Sequence, residues 1–220
     1  MSSKNIIHEK AYWDTFYKNW GIEVPSQFCV QVITDVSSES VLVEFGSGNG
    51  RDSQFMASQG YIVTAMDLSE SAIETCSQRM DEHNIQHAFF TRGDVSSEQD
   101  VAAALVHARA QRKTPEAPLV AYSRFLLHSL DQEQEDAFIT ALDKNLLAGD
   151  KLYLEYRCTK DAELPKVFGN HYRRYVDTDR LTNLMTETLG FAIDYSITGQ
   201  GMAKYKDEDP FVSRVIATKR

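Results

Sequence analysis

Short apolar runs alternate with amphipathic segments along most of this chain. The apolar runs are rich in β-branched side chains and predict buried strands, while the amphipathic segments predict helices. Strands alternating with helices are typical of a doubly wound α/β fold with a mostly parallel seven-stranded sheet, helices on both faces and a final antiparallel hairpin. The predicted strands are 41–46, 61–66, 88–92, 119–123, 151–156, 191–197 and 212–218, and the predicted helices are 51–59, 70–83, 97–112, 131–146 and 177–189.

The chain ahead of the first strand has a different pattern. Residues 9–20 place aromatic side chains at helical spacing, and a second helix is predicted to begin near Pro25. We therefore expect an N-terminal helical lid at 1–38 and one α/β domain at 39–220. Within that domain, residues 157–180 are predicted to form an irregular loop on the substrate side.

Composition narrows the possible classes of protein. The chain has 220 residues, of which 42% are hydrophobic, as in an ordinary globular domain. Its net charge of −9 disfavours a nucleic-acid substrate, because such sites need a basic stripe. The three cysteines are widely spaced and suggest reduced thiols. No apolar run approaches the ~18 residues that span a bilayer, and no secretory signal is evident, so we expect a cytoplasmic protein without a membrane span.

Three glycines at alternate positions follow the first predicted strand: Gly46, Gly48 and Gly50. Glycine permits a tight turn and a close approach of the backbone to a ligand. The helix predicted from Arg51 would direct its first N–H groups at that ligand. Asp67 ends the second strand about 20 positions beyond the glycines, where an acid can accept both ribose hydroxyls. The pattern predicts a nucleotide-type cofactor pocket at the carboxyl ends of the strands.

Glu44 precedes the glycines, and the spacing is Gly-x-Gly-x-Gly instead of the dinucleotide pattern Gly-x-Gly-x-x-Gly. A glutamate there would disfavour phosphate and suit a cationic, amino-acid-bearing ligand. The segment from Glu44 to Gly50, with Asp67 and the later pair Gly93-Asp94, resembles the class I S-adenosylmethionine-dependent methyltransferases. The resemblance extends over roughly residues 41–217 and implies a Rossmann-like fold.

The resemblance also implies the cofactor and its contacts. The cofactor would be S-adenosylmethionine, with S-adenosylhomocysteine as product and no metal. By resemblance, Asp94 would accept from the adenine amino group and the Val95 N–H would contact a ring nitrogen; alternatively, Asp94 caps the next helix. Arg51 could hold the methionine carboxylate or be solvated. The expected cofactor-binding residues are Glu44, Gly46, Ser47, Gly48, Gly50, Arg51, Asp67, Leu68, Asp94, Val95, Tyr122 and, from the N-terminal aromatic stripe, Trp13 and Tyr17, which could instead be core residues.

Polar residues follow the fourth strand, where the resembled family has its substrate-facing motif. Arg124 is the leading substrate-side candidate, because its guanidinium group could hold an anion or an acceptor oxygen. His128 lies four positions on, so a helical turn would give it the same face as Arg124. His128 could be a general base or a histidine that packs at the sheet edge.

A locally basic segment follows the fifth strand in this acidic chain. If it folds over the pocket, it supplies guanidinium groups for a phosphate or carboxylate and a second candidate base, His171. The alternative is a solvated loop. The predicted catalytic residues are His128, His171 and Arg124, and the predicted substrate-binding residues are Arg124, Tyr156, Arg157, Tyr172, Arg173 and Arg174.

These patterns favour methyl transfer to a small or glycan-linked acceptor that is anionic or hydroxylated, with O-methylation preferred. The sequences of residues 12–17 and 171–174 resemble those of small-molecule and glycan-modifying methyltransferases. We expect a monomer or a homodimer. Two other hypotheses remain open: an NAD(P)-dependent oxidoreductase built on the same sheet, and a non-enzymatic regulatory module that binds the cofactor.

Overall fold

The structure, a computed structural model, describes residues 24–166 and 172–220. The predicted helix at 9–20, Trp13, Tyr17 and His171 lie outside these residues. The strands are β1 Val41–Phe45, β2 Ile62–Asp67, β3 Ala88–Arg92, β4 Leu119–Arg124, β5 Lys151–Arg157, β6 Phe191–Gly199 and β7 Val212–Lys219.

These strands form one seven-stranded sheet in the order β3-β2-β1-β4-β5-β7-β6. Strands β1 to β5 pair in parallel, and β7 runs antiparallel to both β5 and β6. The strand order reverses at β1 and β4, which is where ligands bind in open α/β sheets. The predicted doubly wound, Rossmann-like fold with a final antiparallel hairpin is confirmed.

The helices also follow the predicted order. They are α1 Gln27–Asp35, α2 Arg51–Ser58, α3 Glu70–Glu82, α4 Glu98–Ala110, α5 Gln132–Asn145 and α6 Thr178–Asn183. One predicted helix differs, because 177–189 is not a single α-helix. After α6 the chain continues as a π-helical turn, Leu184–Thr188, in which the Leu189 N–H donates to the Leu184 carbonyl.

Two apolar cores lie on opposite faces of the sheet. Helices α4, α5 and α6 cover one face, and α1 and α2 cover the other. Phe28 and Val32 of α1 are fully buried against the sheet, so the described part of the predicted lid packs into the second core. A domain boundary at residue 38 stays a prediction.

Because β1 to β5 are parallel, their carboxyl ends meet at one edge of the sheet. Gly46, Asp67, Gly93, Phe125 and Cys158 lie at or just beyond those ends. The fold therefore brings the glycine loop and the predicted substrate-side segments to the same edge.

Candidate functional site

The glycine loop after β1 has a backbone that only glycine adopts easily. Gly46, Gly48 and Gly50 have φ angles of 76°, 54° and 71°, in the left-handed region. A Cβ on Gly50 would lie 2.5 Å from the Cys76 sulfur, and one on Gly46 would lie 3.0 Å from a Leu126 methyl carbon. The loop is therefore closely packed underneath.

Asp67 ties this loop to the end of β2. Its Oδ2 accepts from the Gly48 N–H at 2.8 Å, and its Oδ1 accepts from the Ser69 N–H at 2.9 Å. Ser69 in turn caps α3 by accepting from the Ala72 N–H. Leu68 lies between the two anchored residues, and Ser47 donates from its backbone to the Met66 carbonyl at 3.1 Å. The predicted ribose acid is thus fixed against the predicted cofactor loop.

Glu44 lies inside the protein below α2 and does not face outward as a ligand-facing anion would. Only 4% of the residue is exposed, and its carboxyl group accepts a short hydrogen bond from the Ser53 hydroxyl. Burial raises the pKa of Glu44 well above its usual range, and the charge of Asp52 raises it further. From the sequence, we expected Glu44 to select a cationic ligand by direct electrostatic attraction. The buried position of Glu44 does not provide that attraction.

A buried network centred on Asp52 supports the start of α2. The carboxylate accepts from the Ser26 N–H and hydroxyl and from the Tyr122 hydroxyl, each at 2.7 Å. Tyr122 is fully buried, and burial followed by the charge of Asp52 raises the pKa of its hydroxyl well above the usual value. Tyr122, expected at the cofactor, thus lies beneath the loop and supports it.

Sequence reasoning missed Asp52 and Ser26 as parts of the site. The local sequence around each of these two residues contained a feature that could have pointed to it. Ser26 precedes an apolar helical run as a typical N-cap, and Asp52 is an acid in the first turn after the glycines. Their pairing across the fold is a tertiary fact that no local pattern contains.

Asp94 forms a tight local turn after β3. Its Oδ1 accepts from the Ser96 N–H at 2.8 Å and from the Ser96 hydroxyl at 2.7 Å. The cap of α4 is Ser97, so the helix-cap alternative for Asp94 is wrong in detail. The Gly93 N–H donates to the Asp67 carbonyl at 3.0 Å, which joins this turn to the glycine-loop side of the site. Val95 follows as a buried residue.

Arg51 begins α2 directly after the loop. Its Nε lies 3.7 Å from Asp52 Oδ1, and 18% of the side chain is exposed. The guanidinium group therefore lies at the boundary between the buried network and solvent, beside the glycines.

Arg124 ends β4 and forms an ion pair with Glu155 of β5. The Arg124 Nε donates to Glu155 Oε1 at 2.7 Å, and the guanidinium group stacks on the Phe125 ring at 4.0 Å. Phe125 has a φ of 57°, which turns the chain sharply. The expected helical turn from Arg124 to His128 is therefore wrong, because a left-handed residue separates them.

His128 lies in a short 3-10 helix, Leu127–Ser129, and only 4% of it is exposed. Its Nδ1 accepts from the Arg157 N–H at 3.4 Å, and its ring meets the Phe125 ring edge-on at 5.2 Å. The packing interpretation of His128 thus has direct structural support. Its role as a base stays a prediction.

The basic residues after β5 are mostly tied inside the protein. Arg157 donates to Asp161 at 2.8 Å and to Glu208 at 2.5 Å, and Arg174 donates to the Leu130 carbonyl at 3.0 Å and to Glu135. The predicted set of open guanidinium groups is therefore wrong for these two arginines, because internal carboxylates hold them.

The other predicted substrate-binding residues differ in exposure. Tyr156 is fully buried, Arg173 is half-buried and Tyr172 is exposed. Tyr172 and Arg173 are therefore the more accessible members of this segment, whereas Tyr156 belongs to the core.

Comparison with known proteins finds a family model that matches part of the chain. Residues 42–146 match a family model described as a methyltransferase domain. This segment contains the glycine loop, Asp67, Asp94 and Arg124. By this match and by its fold, the chain is similar to S-adenosylmethionine-dependent methyltransferases. No curated protein sequence matches it.

Solved methyltransferase structures share the fold. An S-adenosylmethionine-dependent methyltransferase from Anabaena variabilis is 20% identical with a TM-score of 0.69, over 96% of this chain and 93% of that one. One from Methanosarcina mazei is 18% identical with a TM-score of 0.64, over 86% and 96%. The glycopeptide N-methyltransferase MtfA, in complex with S-adenosylmethionine, is 16% identical with a TM-score of 0.64, over 90% and 95%.

The described ranges, 24–166 and 172–220, contain no group of three or more His, Cys, Asp or Glu side chains that could hold a metal ion. None of their helices is long and apolar enough to cross a bilayer.

Proposed function

We propose that this protein transfers the methyl group of S-adenosylmethionine to a small or glycan-linked acceptor that carries an anionic or hydroxyl group. S-adenosylhomocysteine is the second product. One observation carries this proposal: a loop of three left-handed glycines follows β1, and the N–H of one of them, Gly48, donates to the acid at the end of β2, Asp67, within the segment that matches the methyltransferase-domain model.

In the proposed complex, Asp67 accepts from the ribose hydroxyls and the backbone at Gly46, Ser47 and Gly48 lies along the amino-acid portion. Asp94 accepts from the adenine amino group. Both hydrogen bonds from Ser96 to Asp94 end on Oδ1, which supports this role because Oδ2 is then the oxygen that accepts from the amino group. The Val95 N–H contacts the adenine ring, and Leu68 packs beside it.

Other predicted residues complete the proposed cofactor site. Arg51 binds the carboxylate of the methionine portion, as its position beside the glycines suggests. Glu44 and Tyr122 act from below by supporting α2 through Ser53 and Asp52. Trp13 and Tyr17 would cover the cofactor from the N-terminal segment.

The chemistry needs alignment more than it needs a reactive group. The acceptor nucleophile attacks the methyl carbon in line with the sulfonium leaving group, so a dry, ordered site accounts for much of the rate. A hydroxyl acceptor also loses a proton, for which His128 and His171 are the proposed bases. Arg124, Tyr172 and Arg173 are the proposed acceptor-side residues. The glycopeptide substrate named for MtfA supports a glycan-linked acceptor. We further expect a cytoplasmic enzyme, monomeric or homodimeric.

Isothermal titration tests the cofactor. We expect S-adenosylmethionine and S-adenosylhomocysteine to bind the wild-type protein, and Asp67→Ala to weaken both by about tenfold to a hundredfold through the loss of charged hydrogen bonds. Asp194→Ala, an exposed change on the edge strand β6, serves as the matched control and should bind like wild type. Binding of NAD in place of both ligands would favour the oxidoreductase, and binding of none of them would refute the proposal.

A further inference from the structure

Three charged residues lie side by side across the carboxyl edge of the sheet. Arg124 of β4 is the register partner of Glu155 of β5, and Glu155 is the register partner of Arg214 of β7. Directly paired residues point to the same face of a sheet. Here that face is the one α1 covers, because the Arg214 guanidinium lies 5.0 Å from the Phe28 ring centre. We call these three residues the arginine–glutamate row.

Glu155 holds both arginines by the same atom of each guanidinium group. Its Oε1 accepts from Arg124 Nε and its Oε2 accepts from Arg214 Nε, both at 2.7 Å. The Glu155 side chain is fully buried, so this carboxylate depends on its two partners. The orientation of Arg124 is thereby fixed through Glu155.

The two arginines differ in what their terminal amino groups contact. Those of Arg214 donate to the Gln31 side-chain oxygen and to the Met202 carbonyl, each at 2.7 Å. For Arg124, Glu155 is the only hydrogen-bond partner among residues 24–166 and 172–220, and it uses Nε. The terminal N–H donors of Arg124 therefore remain available, on a side chain that is only 13% exposed.

Arg124 also lies next to the proposed cofactor loop. The Ser123 hydroxyl donates to the Phe45 carbonyl at 3.1 Å, and Leu126 packs directly under Gly46. Between them, Phe125 adopts its left-handed conformation and donates from its N–H to the Glu155 carbonyl at 2.8 Å. Its ring is thus held against the Arg124 guanidinium, where stacking restricts that group to one orientation.

The open donors of Arg124 suit an anion. Arg124 and Arg214 share the buried carboxylate of Glu155, and the charge of Asp52 also acts on Arg124. The hydrogen bonds that Asp52 accepts come from Ser26 and Tyr122. A guanidinium fork with free terminal donors matches a carboxylate or phosphate bidentately.

We propose that Arg124 binds a carboxylate or phosphate group of the acceptor through its terminal amino groups, and that Arg214 is a positioning residue that acts on Arg124 through Glu155. This inference rests on the proposed methyltransferase function, since it assigns the acceptor side of that site. It adds β7 to the site, a strand from which sequence reasoning selected no residue.

Anion titration of the cofactor-product complex tests the proposal. Inorganic phosphate and acetate are titrated separately, at constant ionic strength, into protein saturated with S-adenosylhomocysteine, and binding is followed by NMR of the arginine Nε–H resonances. Stronger phosphate binding would indicate a phosphorylated acceptor, and stronger acetate binding a carboxylated one; either supports the site. We expect Arg124→Gln to raise the Kd of the preferred anion by about tenfold or more, as for a lost charged hydrogen bond.

Arg214 variants separate positioning from simple stability. We expect Arg214→Gln to raise the anion Kd several-fold while the Kd of S-adenosylhomocysteine stays near the wild-type value, and Arg214→Lys to recover part of the loss by keeping the charge beside Glu155. Arg220→Gln, at the other end of β7, removes an exposed arginine and should leave both constants unchanged.

Several results would overturn the inference. Absence of saturable anion binding to the wild-type complex would exclude the site, and wild-type anion binding in Arg124→Gln would exclude Arg124. Equal anion affinity in wild type and both Arg214 variants would exclude the positioning role. Failure of the wild-type protein to bind S-adenosylhomocysteine at all would instead refute the proposed function on which the inference rests.

Discussion

The Tyr122 hydroxyl donates a hydrogen bond to Asp52 Oδ2 at 2.7 Å and so joins β4 to the first turn of α2 inside the protein. Ser26, the N-cap of α1, bonds to both oxygens of the same carboxylate. One buried charge therefore connects two helices and a central strand directly below the glycine loop. Hydrogen bonds to a charged group are stronger than neutral ones, so this network is expected to contribute measurably to stability.

We expect Tyr122→Phe to lower the free energy of unfolding by about 1.5–3 kcal/mol, because it removes a buried hydrogen bond to a carboxylate. Urea unfolding measures the loss. Tyr61→Phe is the matched control, since the Tyr61 hydroxyl donates to the neutral Ile33 carbonyl at 3.0 Å and should contribute only about 0.5–1.5 kcal/mol. Equal losses for the two variants would contradict the charged character of the Asp52 network.

The glycine loop offers a second comparison. Gly50 and Gly60 both have positive φ angles, 71° and 90°, but a Cβ on Gly50 meets Cys76 whereas one on Gly60 meets no atom within 4 Å. We expect Gly60→Ala to cost about 1–2 kcal/mol of strain, and Gly50→Ala to cost about 1–3 kcal/mol more through overpacking.

Titration with S-adenosylhomocysteine completes this comparison. Gly50→Ala should weaken binding because α2 begins at the next residue, while Gly60→Ala should bind like wild type. The packing argument fails if both variants lose the same stability and bind equally well.

Glu44 should make stability depend on pH. Burial, and then the Asp52 charge, raise the pKa of Glu44 in the folded protein well above the value of about 4.3 expected in the unfolded chain. The folded state therefore holds this proton more tightly. The resulting stability is complete below the unfolded pKa and is lost as pH rises from there through the folded pKa.

We expect Glu44→Gln to remove this dependence, because glutamine resembles the protonated form and can still accept from Ser53. The free energy of unfolding of the variant minus that of wild type should therefore increase as pH rises above about 4.3. Urea unfolding across that range measures it. Glu74→Gln, an exposed change on α3, should differ from wild type by no more than about 0.5 kcal/mol. A Glu44→Gln difference that is flat or falling with pH would rule out the raised pKa.

Arg174 ties the segment after β5 to α5. Its guanidinium group bonds to the buried carboxylate of Glu135 and to the Leu130 carbonyl, and its N–H bonds to the His128 carbonyl. A double-mutant cycle of Arg174→Gln and Glu135→Gln should give a coupling energy of about 1–3 kcal/mol.

The exposed pair Lys144–Glu98 is the control for this cycle and should give only about 0.2–1 kcal/mol. Additive effects of the Arg174 and Glu135 changes would mean that their ion pair does not hold the segment in place.

The order of strands and helices was predictable because local patterns carry it. The apolar runs that end at Phe45 and Asp67 became β1 and β2 with nearly the expected bounds, and Gly46, Gly48 and Gly50 have the left-handed backbone that their spacing suggested. The expected helical turn from Arg124 to His128 failed, since the left-handed conformation of Phe125 depends on contacts with Glu155 from another strand.

The sequence alone determined the doubly wound sheet, the glycine loop and the acid at the end of β2, because periodicity, glycine and strand ends are properties of short segments. Only the tertiary structure decided which charges are available. It paired Arg157 and Arg174 with internal carboxylates, buried Tyr122 against Asp52, and placed Arg214 opposite Glu155. Within the described ranges, the terminal donors of Arg124 are left without a hydrogen-bond partner. The physical reason is that an ion pair depends on distance in space, and residues far apart in the chain meet only when strand register and helix packing bring them together.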